Sequence, residues 1–331
     1  MHDFTLLTLP GAYASSVAVT LDLLNAAAAL APRAKLPRPT WRVLAPHGGS
    51  VTLGSGLRLD AGALPLRSRA DASTWIVPGL GVDNPAALAS RLESEDALQA
   101  IAALRRHAAR GGAVAASCSA VFLLQAAGLL AERRVTTSWW LAPELRRLEP
   151  RCQVDADRMV CADGPVHTAG AALAQADLML HLLRTRFGSA LADSVSKVLL
   201  IDARQAQAPF VVPAMLSNGS ELVRRLTRRI EAALPHPPSV AALAGEFAMA
   251  PRTLARHVRA ATGQGALALV QSVRLNRARM LIESSRMTIE QVAQQVGYED
   301  ATALRRLMRK AAGAAPSRFR TALSESTVNN R

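Results

Sequence analysis

The spacing of apolar residues follows two alternating patterns over the first 190 positions. Short, continuous apolar runs predict strands at residues 4–9, 41–45, 75–77, 113–116, 135–137, 158–161 and 166–168. Apolar residues at helical spacing predict helices at about 15–30 and 85–110, one ending near 127, one beginning at 139 and one ending near 187. Apolar strands that alternate with helices are typical of an open, mostly parallel sheet with helices on both faces.

Two stretches without charged residues, 4–21 and 111–131, have the composition of a membrane span. The first is interrupted by Pro10 and Gly11, and the second contains glycine, serine and glutamine. A buried strand that runs into a helix fits both stretches better, so no membrane partner is expected. The first residues also lack the basic region of a signal peptide, so we expect a cytoplasmic protein.

Beyond residue 204 the pattern changes. Residues 205–219 break the alternation and predict a linker, after which every predicted element is helical. These elements are a basic helix at 220–234 that ends before the prolines at 235–238, a helix capped by Ser239, a connecting helix at 266–284, a helix opened by a Thr288–Gln291 capping box and a short helix opened by Pro316.

The helical part contains an internal repeat. Three positions match when each copy is counted back from its closing glycine, Gly263 or Gly313: Leu254 with Leu304, Arg256 with Arg306, and Val258 with Met308. Each copy reads as two short helices joined by a tight turn, and the second helix ends at a glycine suited to a left-handed backbone. A helix-turn-helix present twice predicts a protein that reads DNA sequence with two recognition helices.

The distribution of charge agrees with a DNA partner. The chain of 331 residues has a net charge of +14, and residues 221–331 contain 18 Lys and Arg against 8 Asp and Glu, whereas residues 1–220 contain 21 against 17. A basic module joined to a nearly neutral one is typical of a nucleic-acid binder attached to another domain. A genome that favours arginine explains why only three residues are lysine, but it does not explain the asymmetry.

Residues 221–322 resemble the AraC/XylS-type DNA-binding domain. The resemblance is carried by Leu243, Ala244, the run from Pro251 to Arg256, Gly263, Arg274, Leu275, Ala278, Arg279, Leu281, Ile289, Val292, Ala293, Gly297, Tyr298, Arg306, Gly313, Pro316, Phe319 and Arg320. It implies two helix-turn-helix motifs, at about 240–262 and 289–312. Aromatic residues of the family pattern are replaced by Val258, Leu304 and Met308, and a serine is replaced by Ala250.

Helical periodicity separates core positions from candidate DNA contacts. Leu254 and Val258, like Leu304 and Met308, lie four residues apart and are expected to face the core. The residues expected on the opposite side, toward DNA, are Arg252, Thr253, Ala255, Arg256, Ala301, Thr302, Arg305, Arg306 and Arg309. Arg309, Lys310, Arg224 and Arg228 are the expected phosphate contacts. For a single arginine, the alternative is a solvated helix face.

Cys118 lies where an apolar strand enters a helix, a position that exposes a thiol and lowers its pKa. A buried, inert cysteine is the alternative. The three cysteines, Cys118, Cys152 and Cys161, show neither a disulfide framework nor paired metal spacing, so no metal and no cofactor are expected.

Residues 3–190 resemble the DJ-1/PfpI superfamily, and with the C-terminal module the chain looks like a GlxA-type transcriptional regulator. The residues that carry the resemblance are Pro10-Gly11-Ala12, Val77-Pro78-Gly79, Ser117-Cys118-Ser119, residues 127–130 and Val135-Thr136-Thr137, and the stretch 202–213 also resembles that group. The resemblance implies a flavodoxin-like α/β open sheet ahead of an all-α double helix-turn-helix domain. Enzymes of the superfamily support the cysteine with a carboxylate and a histidine, where this chain has Ser16 and Ser138.

A cysteine without a base or an orienting acid is poorly equipped for turnover, so we expect a sensor and not an enzyme. His107 and His167 are the weaker candidates for a substitute base. The expected ligand site contains Ser16, Cys118, Ser119, Ser138 and Trp139, with Thr168 nearby, and suits a small polar metabolite. Trp139 either faces a cationic amine or packs in the core.

The expected organisation is therefore a sensing domain at 1–200, a linker at 201–220, a DNA-binding domain at 221–322 and a tail at 323–331. Expected partners are double-stranded promoter or operator DNA and a small polar metabolite, with RNA polymerase and a second copy of the chain as further candidates. Two other functions stay open: a cysteine hydrolase or deglycase tethered to DNA, and an architectural DNA binder without an effector.

Overall fold

A computed structural model describes residues 2–65, 71–82, 84–201, 207, 220–262, 265–285 and 287–312, with the backbone alone at 283, 284 and 310–312. The chain divides into two compact units, Met1–Gln207 and Ala208–Arg331. Several predicted features lie outside the described residues: the linker apart from Ile201, Gln207 and Ser220, the glycines Gly263 and Gly313, the Lys310 side chain, the helix opened by Pro316 and the tail.

The first unit is built on an eight-stranded sheet. The described strands are β1 (Phe4–Leu7), β2 (Trp41–Ala45), β3 (Gly49–Thr52), β4 (Arg58–Ala63), β5 (Thr74–Val77), β6 (Val114–Ser117), β7 (Arg134–Val135), β8 (Gln153–Val154), β9 (Val160–Asp163) and β10 (Val166–Ala169). The sheet order is β3-β4-β2-β1-β5-β6-β10-β9, with β7 and β8 forming a separate pair. All pairings from β4 to β10 are parallel, and only the edge strands β3 and β9 are antiparallel.

The central order β2-β1-β5-β6-β10 confirms the expected flavodoxin-like sheet. After β1 the chain adds β2, β3 and β4 on one side of that strand, and it then adds β5, β6, β9 and β10 on the other. The strand order therefore reverses between β1 and β5. In open α/β sheets a crevice forms at this point, at the carboxyl ends of the strands, and ligands bind there.

Helices cover both faces of the sheet, as the apolar strands predict. The helices of this unit are α1 (Ala14–Leu30), α2 (Pro85–Leu92), α3 (Glu95–Ala108), α4 (Val121–Ala126), α5 (Ala142–Leu148), α6 (Gln175–Phe187) and α7 (Ser189–Val198). Side chains alternate between the two cores along each strand: Trp75 and Val77 join the core that contains α2 to α5, whereas Ile76 joins the core that contains α1, α6 and α7.

Helix α1 with the turn that follows it, Ala14–Ala34, is long and apolar enough to cross a membrane. In the structure, Leu23, Leu24 and Ala27 are fully buried in the core beside α6 and α7. The apolar residues that would suit a lipid environment therefore pack in the protein core. The sequence prediction of a strand followed by a core helix is confirmed for residues 4–21.

Three parts of the sequence prediction are corrected. The helix predicted at 85–110 is two helices, because Ser94 has an extended backbone between α2 and α3. Strands β3, β4 and β8 were not predicted, since β3 and β4 carry mostly exposed side chains, which leaves no apolar run, and β8 is only two residues long. The strand predicted at 135–137 ends at Val135, and the helix predicted from Trp139 begins at Ala142.

The described part of the second unit is helical: α8 (Glu221–Ala232), α9 (Val240–Glu246), α10 (Pro251–Thr262), α11 (Ala266–Ser284), α12 (Ile289–Gln295) and α13 (Ala301–Ala312). Both predicted caps are confirmed. The Ser239 hydroxyl accepts a hydrogen bond from the Ala242 N–H at 3.1 Å. Thr288 and Gln291 form a reciprocal capping box, with bonds of 2.8 and 3.2 Å. These bonds satisfy N–H groups that a helix start leaves unpaired.

Arg274 of α11 fixes the turn of the second helix-turn-helix. Its guanidinium lies 3.7 Å from the centre of the Tyr298 ring and donates hydrogen bonds to the carbonyl oxygens of Val296, at 2.7 Å, and Gly297. The turn therefore depends on a contact between α11 and the loop as well as on its own helices. The first helix-turn-helix has no glycine at the matching left-handed position, where Ala248 has a φ of 52°.

Gly297 is the turn residue whose replacement we expect to be most damaging. Its φ is 79°, and a Cβ added there would lie 1.9 Å from the Pro235 carbonyl oxygen. Ala248 shows that an alanine tolerates a left-handed backbone, so the clash with Pro235 decides the outcome. We expect Gly297→Ala to destabilise α12 and α13 by about 2 kcal/mol or more. Hydrogen exchange of peptides from 289–312 in the full chain measures this loss.

Gly245→Ala is the matched control, because no atom lies within 4 Å of an added Cβ at this helical glycine. It should leave exchange unchanged or slow it, since alanine favours a helix by roughly 0.5–1 kcal/mol over glycine. Equal protection in the two variants would show that the close approach to Pro235 does not constrain the turn.

Candidate functional site

Cys118 occupies a sharp turn between β6 and a short 3-10 helix that leads into α4. Its φ is +56°, a left-handed backbone that costs a non-glycine residue about 1–2 kcal/mol. Two hydrogen bonds hold the turn: the Cys118 N–H donates to the Gly170 carbonyl at 2.6 Å, and the Thr137 hydroxyl donates to the Cys118 carbonyl at 2.8 Å. The strand-to-helix elbow predicted from the sequence is therefore present.

The sulfur at this elbow is enclosed and not presented to solvent. Cys118 has no exposed surface, and the Ser138 hydroxyl donates a hydrogen bond to its Sγ at 3.0 Å. Burial raises the pKa of the Cys118 thiol, although hydrogen bonds from Ser138, Ser119 and the Ala172 backbone act in the opposite direction. The sequence expectation of an exposed thiol with a lowered pKa is wrong, because loops cover the turn.

Neither candidate histidine serves Cys118. The Nε2 atom of His107 lies 3.1 Å from the Ala113 carbonyl oxygen, and the ring stacks on Trp75 at 4.7 Å between centres. His167 pairs with His181, with 3.2 Å between Nδ1 and Nε2. Burial lowers the pKa of both candidates, and the pKa of His167 falls to about 4. Both rings are structural parts of the two cores.

Ser138 directly contacts Cys118, whereas Ser16 is linked to Cys118 by hydrogen bonds through the backbone of Ala172. The Ser16 hydroxyl donates to the Ala172 carbonyl at 2.9 Å, and the same Ala172 backbone hydrogen bonds to the Cys118 sulfur. Ser119 accepts from the Leu80 N–H at 3.0 Å and so ties the turn to the loop after β5. All four side chains of this cluster are fully buried.

Trp139 and Thr168 complete the expected set. The Trp139 ring packs edge-on against Trp140 at 5.2 Å between centres and is 6% exposed, which favours the core-packing interpretation. The Thr168 hydroxyl accepts a hydrogen bond from the Thr136 N–H at 2.8 Å. The structure thus gathers the expected ligand residues around the carboxyl ends of β6 and β10, in a closely packed state.

Gln207 is a residue of this region that the sequence did not identify. It is 2% exposed, and its side-chain oxygen accepts a hydrogen bond from the backbone N–H of Trp139 at 3.3 Å. The two residues are 68 positions apart in sequence, so no local pattern connects them. The only sequence signal was the resemblance of the stretch 202–213 to GlxA-type regulators.

In the second unit, the arginines of both recognition helices lie on the surface. Arg252 and Arg256 of α10, and Arg306 of α13, are exposed, whereas Leu254 and Leu304 are fully buried. The other candidates vary in exposure: Thr302, Arg305 and Arg309 are exposed, and Thr253 and Ala255 are half-buried. The predicted periodicity of core and surface positions is confirmed for α10 and, apart from Ala301, for α13.

Ala301 is a correction to the predicted DNA-facing set. It is 7% exposed and packs in the core with Leu304 and Met308. Residues three and seven positions apart lie on one face of a helix, so the spacing 301, 304, 308 already places Ala301 on the core side. We therefore remove Ala301 from the candidate DNA contacts.

Several arginines expected at DNA take part in ion pairs. Arg305 donates to Glu290 at 2.6 Å, which joins α13 to α12. Arg224 and Arg228 both pair with Glu221, the latter at 3.7 Å. These pairs are solvent-exposed and contribute little stability. They do position the arginine side chains along the surface before any partner arrives.

The geometry defines an α/β open-sheet unit with a closed cysteine elbow, followed by a helical unit with two recognition helices. Family comparisons agree with both units. Residues 69–185 match the DJ-1/PfpI family, and residues 243–322 match a helix-turn-helix domain. The chain therefore combines a DJ-1/PfpI-type domain with an AraC-type helix-turn-helix domain, as the sequence resemblance predicts.

Known relatives share this combination. The chain is 28% identical to the HTH-type transcriptional regulator GlxA of Rhizobium meliloti over 79% of each chain. It is 26% identical to the HTH-type transcriptional regulator CdhR of Pseudomonas aeruginosa, over 97% of this chain and 92% of the relative. The fold is also that of an AraC family transcriptional regulator from Pseudomonas putida, with a TM-score of 0.50 at 23% identity, over 60% of this chain and all of that one.

Cys118 should react slowly with thiol reagents. Its thiol is buried and its pKa is raised, so little thiolate exists at pH 8 and reagents have no direct access. We expect alkylation of Cys118 by iodoacetamide to be at least about tenfold slower in the native chain than in urea, where the pKa returns to near 8.5. Peptide mass spectrometry follows the modification of each cysteine separately.

Cys152 and Cys161 act as internal references in the same digest, because burial also raises their pKa values, that of Cys161 to about 11. If Cys118 is modified much faster than these two cysteines, the elbow opens in solution. That result would favour a nucleophilic role for Cys118.

Proposed function

We propose that this protein is a transcriptional regulator that binds DNA in a sequence-specific way and responds to a small polar metabolite bound by a catalytically inactive DJ-1/PfpI-type domain. The observation that carries the proposal is the pair of exposed arginines, Arg256 and Arg306, on matched recognition helices. The naming of GlxA and CdhR as transcriptional regulators supports it.

The absence of turnover is part of the proposal and follows from the surroundings of Cys118. A cysteine nucleophile needs a base that takes its proton and a group that orients the base. Ser138 donates its own proton to the sulfur at 3.0 Å, and a serine hydroxyl does not act as a base near neutral pH. The enclosure favours the neutral thiol, which is a weak nucleophile, and it outweighs the Ser138 hydrogen bond, which by itself favours the thiolate.

The proposed DNA contacts divide into two kinds. Arg256 and Arg306 are the proposed base-reading residues, because arginine donates two hydrogen bonds to the O6 and N7 atoms of guanine. The remaining contacts proposed in the recognition helices are Arg252, Thr253, Ala255, Thr302, Arg305 and Arg309. Arg224 and Arg228 of α8 would bind phosphates, which orients the protein on the duplex without reading sequence.

The setting of this activity is also proposed. A regulator of this kind acts in the bacterial cytoplasm, where promoter DNA is found. RNA polymerase is a candidate partner for a promoter-bound protein, and a second copy of the chain is another. Since the chain carries two recognition helices, it can occupy two major grooves without forming a dimer.

Arg256→Ala and Arg306→Ala should each weaken operator binding by about 1–3 kcal/mol and relax specificity in one half of the site only. The physical reason is that each arginine reads its own groove, about one helical turn from the other. An operator selected from random DNA by the full chain provides the probe. Footprinting and a set of single-base operator variants then locate the lost contacts.

Arg277→Ala is the matched control. It removes the same charge from an exposed position on α11, outside both recognition helices. It should change the salt dependence of binding by at most about one phosphate equivalent and leave base preference unaltered. Equal loss across the whole site in both test variants would contradict the two-groove arrangement.

Effector binding should be coupled to operator binding. Thermal shifts of the full chain across a metabolite panel identify a ligand, and operator affinity is then measured with and without it. Coupling of this kind is typically about 1–3 kcal/mol, and operator must alter ligand affinity by the same factor. Ser138→Leu should abolish the response while operator binding persists, because the added bulk fills the space beside Cys118.

Ser138→Ala serves as the conservative comparison, since it removes the hydrogen bond to Cys118 without adding volume. It should retain the response at reduced ligand affinity. If no ligand changes operator affinity, and deletion of residues 1–200 leaves transcription in cells unaltered, the architectural function replaces the sensor. A turnover rate that depends on Cys118 would instead favour the tethered enzyme.

A further inference from the structure

The side chain of Gln207 is bound as a ligand would be. The two protons of its amide NH2 group are shared among three acceptors: the Thr136 hydroxyl oxygen at 3.0 Å, the Thr137 carbonyl at 2.9 Å and the Arg158 carbonyl at 3.0 Å. The Thr136 hydroxyl is an acceptor here because it donates its own proton to the Arg158 carbonyl. The Gln207 amide oxygen accepts a hydrogen bond from the backbone N–H of Trp139 at 3.3 Å. Both ends of the amide are therefore recognised, by groups that come from two separate segments of the domain.

This arrangement distinguishes a primary carboxamide from related groups. Reversing the amide would place its NH2 group against the Trp139 N–H and its oxygen against three acceptors, so only one orientation fits. A carboxylate would meet the same three acceptors without a proton to donate. An ammonium group would satisfy them but would leave the Trp139 N–H without an acceptor and would bury a charge beside uncharged groups.

The wall of the site is shaped for a flat group. A Cβ added to Gly170 would lie 2.3 Å from the Gln207 amide carbon, 2.5 Å from its oxygen and 2.7 Å from its nitrogen. The glycine therefore leaves the space that the amide plane fills. Its neighbours connect the site to the elbow, because the Gly170 carbonyl accepts the Cys118 N–H and the Thr137 hydroxyl donates to the Cys118 carbonyl.

Gln207 is also the last residue of the first compact unit. Its N–H donates to the Asp157 carbonyl at 2.8 Å, so the backbone is fixed at the same point as the side chain. A molecule that takes the place of the amide must expel the residue at which this unit ends. Occupation of the site by such a molecule and burial of the Gln207 side chain therefore exclude each other.

We propose that Thr136, Thr137, Trp139, Arg158 and Gly170 form a subsite for a primary carboxamide, in which Gln207 is a tethered occupant that a metabolite carrying such an amide displaces. The inference rests on the proposed function in one respect only, which is that the metabolite carrying the amide is the effector of the regulator. It assigns the chemical class of the ligand and gives the response a physical basis, the release of Gln207.

Side-chain rescue in the full chain tests the subsite. Gln207→Ala removes the atoms of acetamide and leaves the Trp139 N–H without its acceptor, so this amide proton should exchange with solvent at least about tenfold faster, the effect of losing one hydrogen bond of roughly 1.4 kcal/mol. Acetamide should restore protection in a saturable way. Acetate and ethylammonium, matched in size, should not.

Two further variants separate recognition from a general loss of structure. Acetamide should fail to rescue the double variant Gln207→Ala with Gly170→Ala, because the new methyl group occupies the amide plane. Gln99→Ala, at a half-buried glutamine whose amide donates to Glu95 in the same helix, should leave Trp139 exchange unchanged. In the wild-type chain, acetamide should bind at least tenfold more weakly than in Gln207→Ala, since it competes with the tether.

The proposal is overturned if acetamide binds equally to wild type and Gln207→Ala, if it fails to restore the protection of Trp139, or if ethylammonium restores it better. None of these measurements involves DNA. Failure of the amide rescue therefore leaves the transcriptional function standing, and failure of operator binding leaves the amide subsite standing.

Discussion

The left-handed backbone at Cys118 is the constraint on which the first domain depends. A strand that turns sharply into a helix at a non-glycine residue persists only when its neighbours fix it, here the Gly170 carbonyl and the Thr137 hydroxyl. The loops after β1 and β5 close over the same point, and a Cβ at Gly79 would lie 3.0 Å from that of Cys118. The turn, its supports and its cover form one tightly packed structure.

The same elbow serves two kinds of chemistry according to what lies around it. An enzyme needs an accessible thiolate, and therefore a base and an opening. Here the partner of the sulfur is the Ser138 hydroxyl, and burial raises the pKa of the thiol. Around the sulfur, loop carbonyls, N–H groups and hydroxyls converge at the carboxyl ends of the strands. Such groups suit recognition of a polar molecule without reaction.

The helical domain places its apolar side chains and most of its arginines on different helix faces. Its apolar positions pack inward, and Arg274 fixes the second turn through Tyr298 and two carbonyl oxygens. Arginine thus occupies two kinds of position in one domain: the half-buried Arg274 connects α11 to the turn, whereas Arg256 and Arg306 lie exposed on the recognition helices. Helical spacing separates the buried from the exposed positions of α10 and α13. The contact of Arg274 with the loop, in contrast, is evident only when α11 and the loop are seen together.

The sequence by itself determined what depends on local periodicity and on short motifs. This covers the order of the main strands and helices, the caps at Ser239 and Thr288, the repeated helix-turn-helix and the elbow at Cys118. Strands β3 and β4 escaped prediction because their side chains are largely exposed, and the core position of Ala301 was overlooked although its spacing from Leu304 implies it. Tertiary structure alone decided that the Cys118 sulfur is enclosed and that Gln207 lies against Trp139. Burial and hydrogen bonding between segments many residues apart depend on how the loops pack, and a local pattern of residues carries no record of that packing.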